Sequence, residues 1–129
     1  MSTSKEIINT VKAPAPIGPY NQAVRAGNTL YVSGQIALSP QTGELVTGSV
    51  AGEARQVLDN LAAILAEAGY AFADVVKTTI FLRDMADFAT VNEVYGTYFT
   101  GQAPARETVA VAGLPKNVNV EISVIAWKA

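Results

Sequence analysis

Pro104-Ala105-Arg106-Glu107-Thr108-Val109-Ala110-Val111, then Leu114-Pro115, then Val118-Asn119-Val120-Glu121-Ile122-Ser123-Val124 is the stretch whose reading decides the fold. Two runs of small and β-branched residues, each carrying a conspicuous charge, read as strands parted by a proline turn. Successive strand side chains point to opposite faces. Val118, Val120, Ile122 and Val124 therefore share an apolar face, and Asn119, Glu121 and Ser123 a polar one. In the first run Val109 and Val111 share one face, and Arg106, Thr108 and Ala110 the other. Counted this way, Arg106 and Glu121 are predicted to lie on the less apolar face of one sheet. Either they are edge charges in water, or they are a carboxylate-binding arginine beside a water-activating glutamate.

Upstream, Asp84 or Asp87 starts a helix in which Phe88, Val91, Val94 or Tyr95, Tyr98 and Phe99 recur at helical spacing, a core stripe ended by Gly101 and Pro104. Asp74–Leu82 before it reads as a strand. Ser49 caps a longer helix reaching Ala68, with Gly69 past its end and Val50, Ala54, Val57, Leu58, Leu61 and Leu65 on its inner face. Tyr20–Ala26 and Thr29–Gly34 read as strands turning at Gly27-Asn28. Ala13-Pro-Ala-Pro-Ile-Gly-Pro19 is a stiff loop that positions Tyr20. The order is β-β-α-β-α-β-β, an α+β domain over residues 1–129 with both helices on one face of the sheet. The other face, assigned Thr29, Tyr31, Ser33, Lys77, Phe81, Arg106, Thr108 and Glu121, is either wet or covered by another copy.

Composition narrows the chemistry. The 129 residues contain no cysteine and no histidine, which excludes a thiol nucleophile, a Cys/His zinc site and a Ser-His-Asp triad. No clustered acidic pattern suggests another metal. Nine basic residues against eleven acidic ones, net −2, argue against a broad nucleic-acid footprint. No apolar run approaches the ~18 residues of a membrane helix, and Met1–Glu6 lacks the apolar stretch of a secretory signal, so a cytoplasmic protein is expected.

The run from Pro104 to Ile122 resembles the signature of the Rid (YjgF) family: Pro-Ala-Arg, a hydrophobic strand, Leu-Pro, then Val-Glu-Ile. Ala15–Tyr20, Ser33-Gly34-Gln35-Ile36, Ala54–Leu61, Val76–Thr79 and Asp87–Asn92 are similar to further family blocks, so the likeness spans nearly the whole chain. Glu107 and Thr108 depart from it, standing where many relatives have a small residue and a cysteine.

The resemblance implies a chorismate-mutase-like fold, a homotrimer with clefts between subunits, and cofactor-independent hydrolysis of 2-imino or 2-enamino acids to 2-oxo acids and ammonia. Arg106 then holds the substrate carboxylate and Glu121 handles the water. Tyr20, Ser33, Gly34, Asn92, Glu107 and Thr108 line the site, the last two chiefly through backbone. No metal or cofactor is expected. Other functions stay open beside this one: a non-catalytic 2-oxo-acid sensor, an RNA-cleaving or translation-inhibiting protein, or a chaperone-like holder. So does the pairing of the last strands. Turn logic makes them a hairpin, whereas the family fold inserts the final strand deeper in the sheet, leaving Arg106 and Glu121 about two strand spacings, ~10 Å, apart.

Overall fold

The computed structural model describes residues 5–129. Met1–Ser4, part of the N-terminal stretch read above, lie outside the described residues. Six strands form one sheet: β1 (Glu6–Ile8), β2 (Ala23–Ala26), β3 (Thr29–Gln35), β4 (Val75–Leu82), β5 (Ala105–Ala110) and β6 (Val120–Trp127). Helices α1 (Val50–Glu67) and α2 (Phe88–Tyr98) pack against each other, and α1 lies across β3 and β6. The α+β architecture with both helices on one face is as the sequence predicts. The element order gains one strand. β1 pairs antiparallel with β2, Glu6 ion-pairing with Arg25; its three residues are too short to carry a periodicity. No helix among the described residues is long and apolar enough to cross a membrane.

Local chemistry places the helices. Ser49, in extended conformation, accepts the Gly52 N–H at 3.0 Å and starts α1. Gly69 (φ 82°) ends it, while Tyr70 N–H returns to the Leu65 carbonyl at 2.8 Å. Ala54, Val57, Leu58, Leu61, Ile64 and Leu65 are buried beneath. Val91, Val94 and Tyr95 of α2 join the same core, but Phe88, predicted for that stripe, is 38% exposed. A short 3-10 turn capped by Asp84 precedes α2, so Phe88 opens the helix at the rim of the layer.

The sheet order is β1-β2-β3-β6-β4-β5. β6 is a central strand, antiparallel to both β3 and β4, and β5 is an edge strand running parallel to β4. The hairpin alternative is thereby excluded. Burial drives the insertion: Val120, Ile122, Val124 and Ala126 are all buried, which a central position under α1 satisfies. By contrast, β5 presents a polar sequence suited to an edge.

One expectation fails. Arg106 and Thr108 are in register with Thr78 and Ile80 of β4, whose side chains are buried on the helix side. Glu121 is in register with Phe81, on the helix-free side. The two charges therefore occupy opposite faces of the sheet. Alternation within each strand is as counted, but it cannot relate two strands that never pair. α2 claims the Arg106 face of β5 through Asn92 and Tyr95, and Val109, 42% exposed, turns to the helix-free side. Along the strands Arg106 and Glu121 are also three positions out of step, which separates their Cα atoms by roughly 14 Å within one chain.

Candidate active site

Chemistry-bearing residues gather in two places, one on each face. The first is built on α2 and β5. Arg106 Nη1 donates to Asn92 Oδ1 at 2.7 Å, and its guanidinium carbon stands 4.9 Å from the Tyr95 ring centroid and 5.7 Å from that of Phe88. Asn92 is thus a partner of Arg106 rather than a core hydrogen-bonder. Thr108 lies on the same side, two residues along the strand. Its hydroxyl is buried with no hydrogen-bond partner among the described residues, a costly state for a polar group.

The second place is built where β3 and β6 meet. The register between them shifts between Val32 and Gln35, a bulge containing Ser33 and Gly34. Glu121 uses that space. A Cβ on residue 34 would stand 2.5 Å from Glu121 Oε2 and 2.9 Å from its Cδ, so only glycine lets the carboxylate rest there. Burial pushes the Glu121 carboxyl pKa up from its ordinary value. Beside it runs a narrow cleft of about 40 Å³, walled by Pro14, Pro16, Ile17, Tyr20, Ile36 and Pro115.

Tyr20 lies in the loop before β2 rather than in the strand predicted from Tyr20 onward. It is 46% exposed, and its hydroxyl accepts the Ile17 N–H at 3.3 Å. Ser33 spends its hydroxyl on the Asn21 carbonyl, 2.7 Å away, tying that loop to β3. Glu107 joins neither place. It faces the helix-free side in register with Thr79 and meets Lys77 at 3.5 Å, 63% exposed. Its side chain is removed from the first cluster by the same alternation that puts Arg106 and Thr108 in it.

Two supporting residues escaped the sequence reading. Gln22 is buried, and its Nε2 donates to the carbonyls of Thr10 (3.0 Å) and Pro14 (2.8 Å), while its Oε1 accepts Thr10 N–H at 2.6 Å. A proline-rich segment supplies carbonyls without matching N–H donors, so a nearby amide side chain was the available signal. Glu53 is buried too, accepting the backbone N–H groups of Asn119 (2.7 Å) and Val120 (3.2 Å) and the Asn119 amide (3.0 Å). It fixes the start of β6 immediately before Glu121. Its place in the first turn of α1 masked this longer-range use.

These observations define a small α+β protein with an arginine cluster and a glutamate cluster on opposite faces of one sheet. The family profile described as Endoribonuclease L-PSP matches residues 10–128. A mouse protein named 2-iminobutanoate/2-iminopropanoate deaminase is 54% identical over 97% of this chain and 93% of its own length. A RutC family protein from Pyrococcus horikoshii is 54% identical over 96% of this chain and 98% of its own. A Yersinia pestis structure described as a protein of unknown function of the conserved Rid protein family superposes with TM-score 0.94 at 46% identity, covering 97% of this chain and all of that one. The chain belongs to the Rid (YjgF) family.

Proposed function

We propose that this chain is a hydrolytic deaminase of small 2-imino and 2-enamino acids, with each site assembled from the arginine half-site of one copy and the glutamate half-site of the next. The carrying observation is Arg106, a guanidinium held by Asn92 and two aromatic rings, with its remaining nitrogens uncommitted among the described residues. A planar donor pair fits the carboxylate of a 2-imino acid. The mouse relative's name indicates the same substrate class.

The reaction asks little more. With the imine nitrogen protonated, C2 is already electrophilic. Glu121 takes a proton from a water as its oxygen bonds to C2, giving a carbinolamine. Glu121 then returns that proton to the amino nitrogen. As the C–N bond breaks toward nitrogen, the hydroxyl oxygen forms the carbonyl and its proton passes back to the Glu121 carboxylate and on to the departing ammonia, so that the 2-oxo acid and ammonium leave. A carboxylate with a raised pKa is suited to these transfers, which together are worth ~10²–10⁴-fold. Holding the substrate against that water supplies the rest.

A single chain cannot bring the halves together, and its helix-free face exposes Tyr31 and Trp127, about half of each accessible. A heterologous contact between unlike faces forms a ring when its rotation closes, and a homotrimer, as the family resemblance implies, is such a ring. The test is 2-aminocrotonate generated by a threonine dehydratase, followed with and without this protein. Accelerated decay with matching 2-oxobutanoate and ammonia is expected. Decay at the buffer rate overturns the proposal.

A further inference from the structure

We propose that Tyr95 is a positioning residue for Arg106, its ring serving as the platform that fixes where the guanidinium presents its remaining donors. The proposal rests on the carboxylate-binding role given to Arg106 above. Phe88, Asn92 and Tyr95 stand at i, i+4 and i+7 of α2 and so form one stripe along the helix. That stripe meets Arg106 at all three points: Asn92 takes Nη1, and the Tyr95 and Phe88 rings lie 4.9 and 5.7 Å from the guanidinium carbon. An arginine over the negative face of an aromatic ring is attracted to it, and more strongly where water is excluded.

Tyr95 is the better anchored of the two rings. It is buried, its hydroxyl is 2.8 Å from Thr78 Oγ1, and its ring stacks on Phe99 with centroids 4.4 Å apart. Thr78 is the β4 residue in register with Arg106 itself. The hydroxyl bond therefore ties the platform to the strand beside the one that carries the arginine. A long side chain with many rotamers is thereby held in one before any ligand arrives, which lowers the ordering cost of binding. Tyr95 lies beneath the guanidinium and acts on the ligand only through it. A purely space-filling role would need the ring's shape but not its electron density.

The experiment separates those two. In the full oligomeric protein, residue 95 is replaced by phenylalanine and by phenylalanine carrying one, two and three ring fluorines, a near-isosteric series of falling electron density. Binding of 2-oxobutanoate, an unreactive 2-oxo acid, is measured by calorimetry, and KM and kcat are measured for 2-aminocrotonate. Affinity is expected to fall stepwise along the series by about three- to thirtyfold in total, with KM rising in parallel and thermal unfolding unchanged. A flat series overturns the platform, as does a series in which only kcat or stability moves. Arg106→Ala serves as the control. If it binds 2-oxobutanoate like wild type, the carboxylate role of Arg106 fails and this inference fails with it. If it loses binding while the fluorinated series stays flat, only the platform fails.

Discussion

Arg106 is occupied on one side and open on the other. Asn92 holds one nitrogen at 2.7 Å, so the guanidinium keeps a fork for a carboxylate, whereas the compact ammonium of lysine would lose that planar fork. Arg106→Lys should thus fail almost as badly as Arg106→Ala, each losing roughly 10²-fold in kcat/KM, about 2.7 kcal/mol. Steady-state imine hydrolysis checks this, and near-wild-type turnover in either variant removes the residue from the site. Glu121 offers a second test at this scale. As the base it must be ionised, so kcat/KM should rise with pH through a pKa raised from the ordinary glutamate value by burial. Glu121→Gln should lose that acid limb together with most of the activity. Stability runs the other way. A carboxyl whose folded pKa is raised favours the fold fully below its unfolded pKa, about 4.3, and that contribution is lost as pH rises through the folded value. Near neutrality Glu121→Gln should unfold no more easily than wild type in urea.

Elements carry the precision of these residues. Glu121 is aimed by two local devices, the Ser33-Gly34 bulge in β3 and the Glu53 carboxylate that fastens the first residues of β6. Glu53→Ala would leave two backbone N–H groups and the Asn119 amide without their acceptor. A loss of about 3 kcal/mol is expected from urea unfolding, by the cost of unpaired buried donors. A loss under about 1 kcal/mol would show that water replaces the carboxylate easily. Elements were also the most legible part of the sequence. Ser49, Gly69 and the apolar stripe between them mark α1 within a residue or so, because capping and periodicity are local physics. The three-residue β1 and the late start of β2 left no such mark. One is too short for a pattern, and the other is delayed by a glutamine whose partners lie 8–12 residues away in the chain.

Across the whole molecule, register decides what strand counting cannot. Val120–Ala126 alternates cleanly and announces a buried strand, but its neighbours β3 and β4 are set by tertiary burial. The side on which β5 meets α2 is likewise invisible from Ala105–Ala110 alone. Arg106, Glu121, Gly34, Asn92 and Thr108 were legible as site candidates through family motifs, yet their division between two faces was not. Glu107 shows the same gap from the other direction. It adjoins Arg106 in sequence and belongs to the opposite surface. On the helix-free face, the Glu121 carboxylate shares one surface with exposed Tyr31, Val109 and Trp127.

Placing the two halves back to back has a genetic consequence. A chain with Arg106→Ala still carries a sound Glu121 half, and a chain with Glu121→Gln a sound Arg106 half. Neither alone makes a working site, but dissociated and reassembled together they should complement. With random equal mixing, about one site in four joins two intact halves. Two dead proteins, mixed, are thus expected to regain about a quarter of wild-type activity per chain, measured after dilution from mild denaturant. No recovery, with mixed oligomers verified by native mass spectrometry, would overturn the shared site.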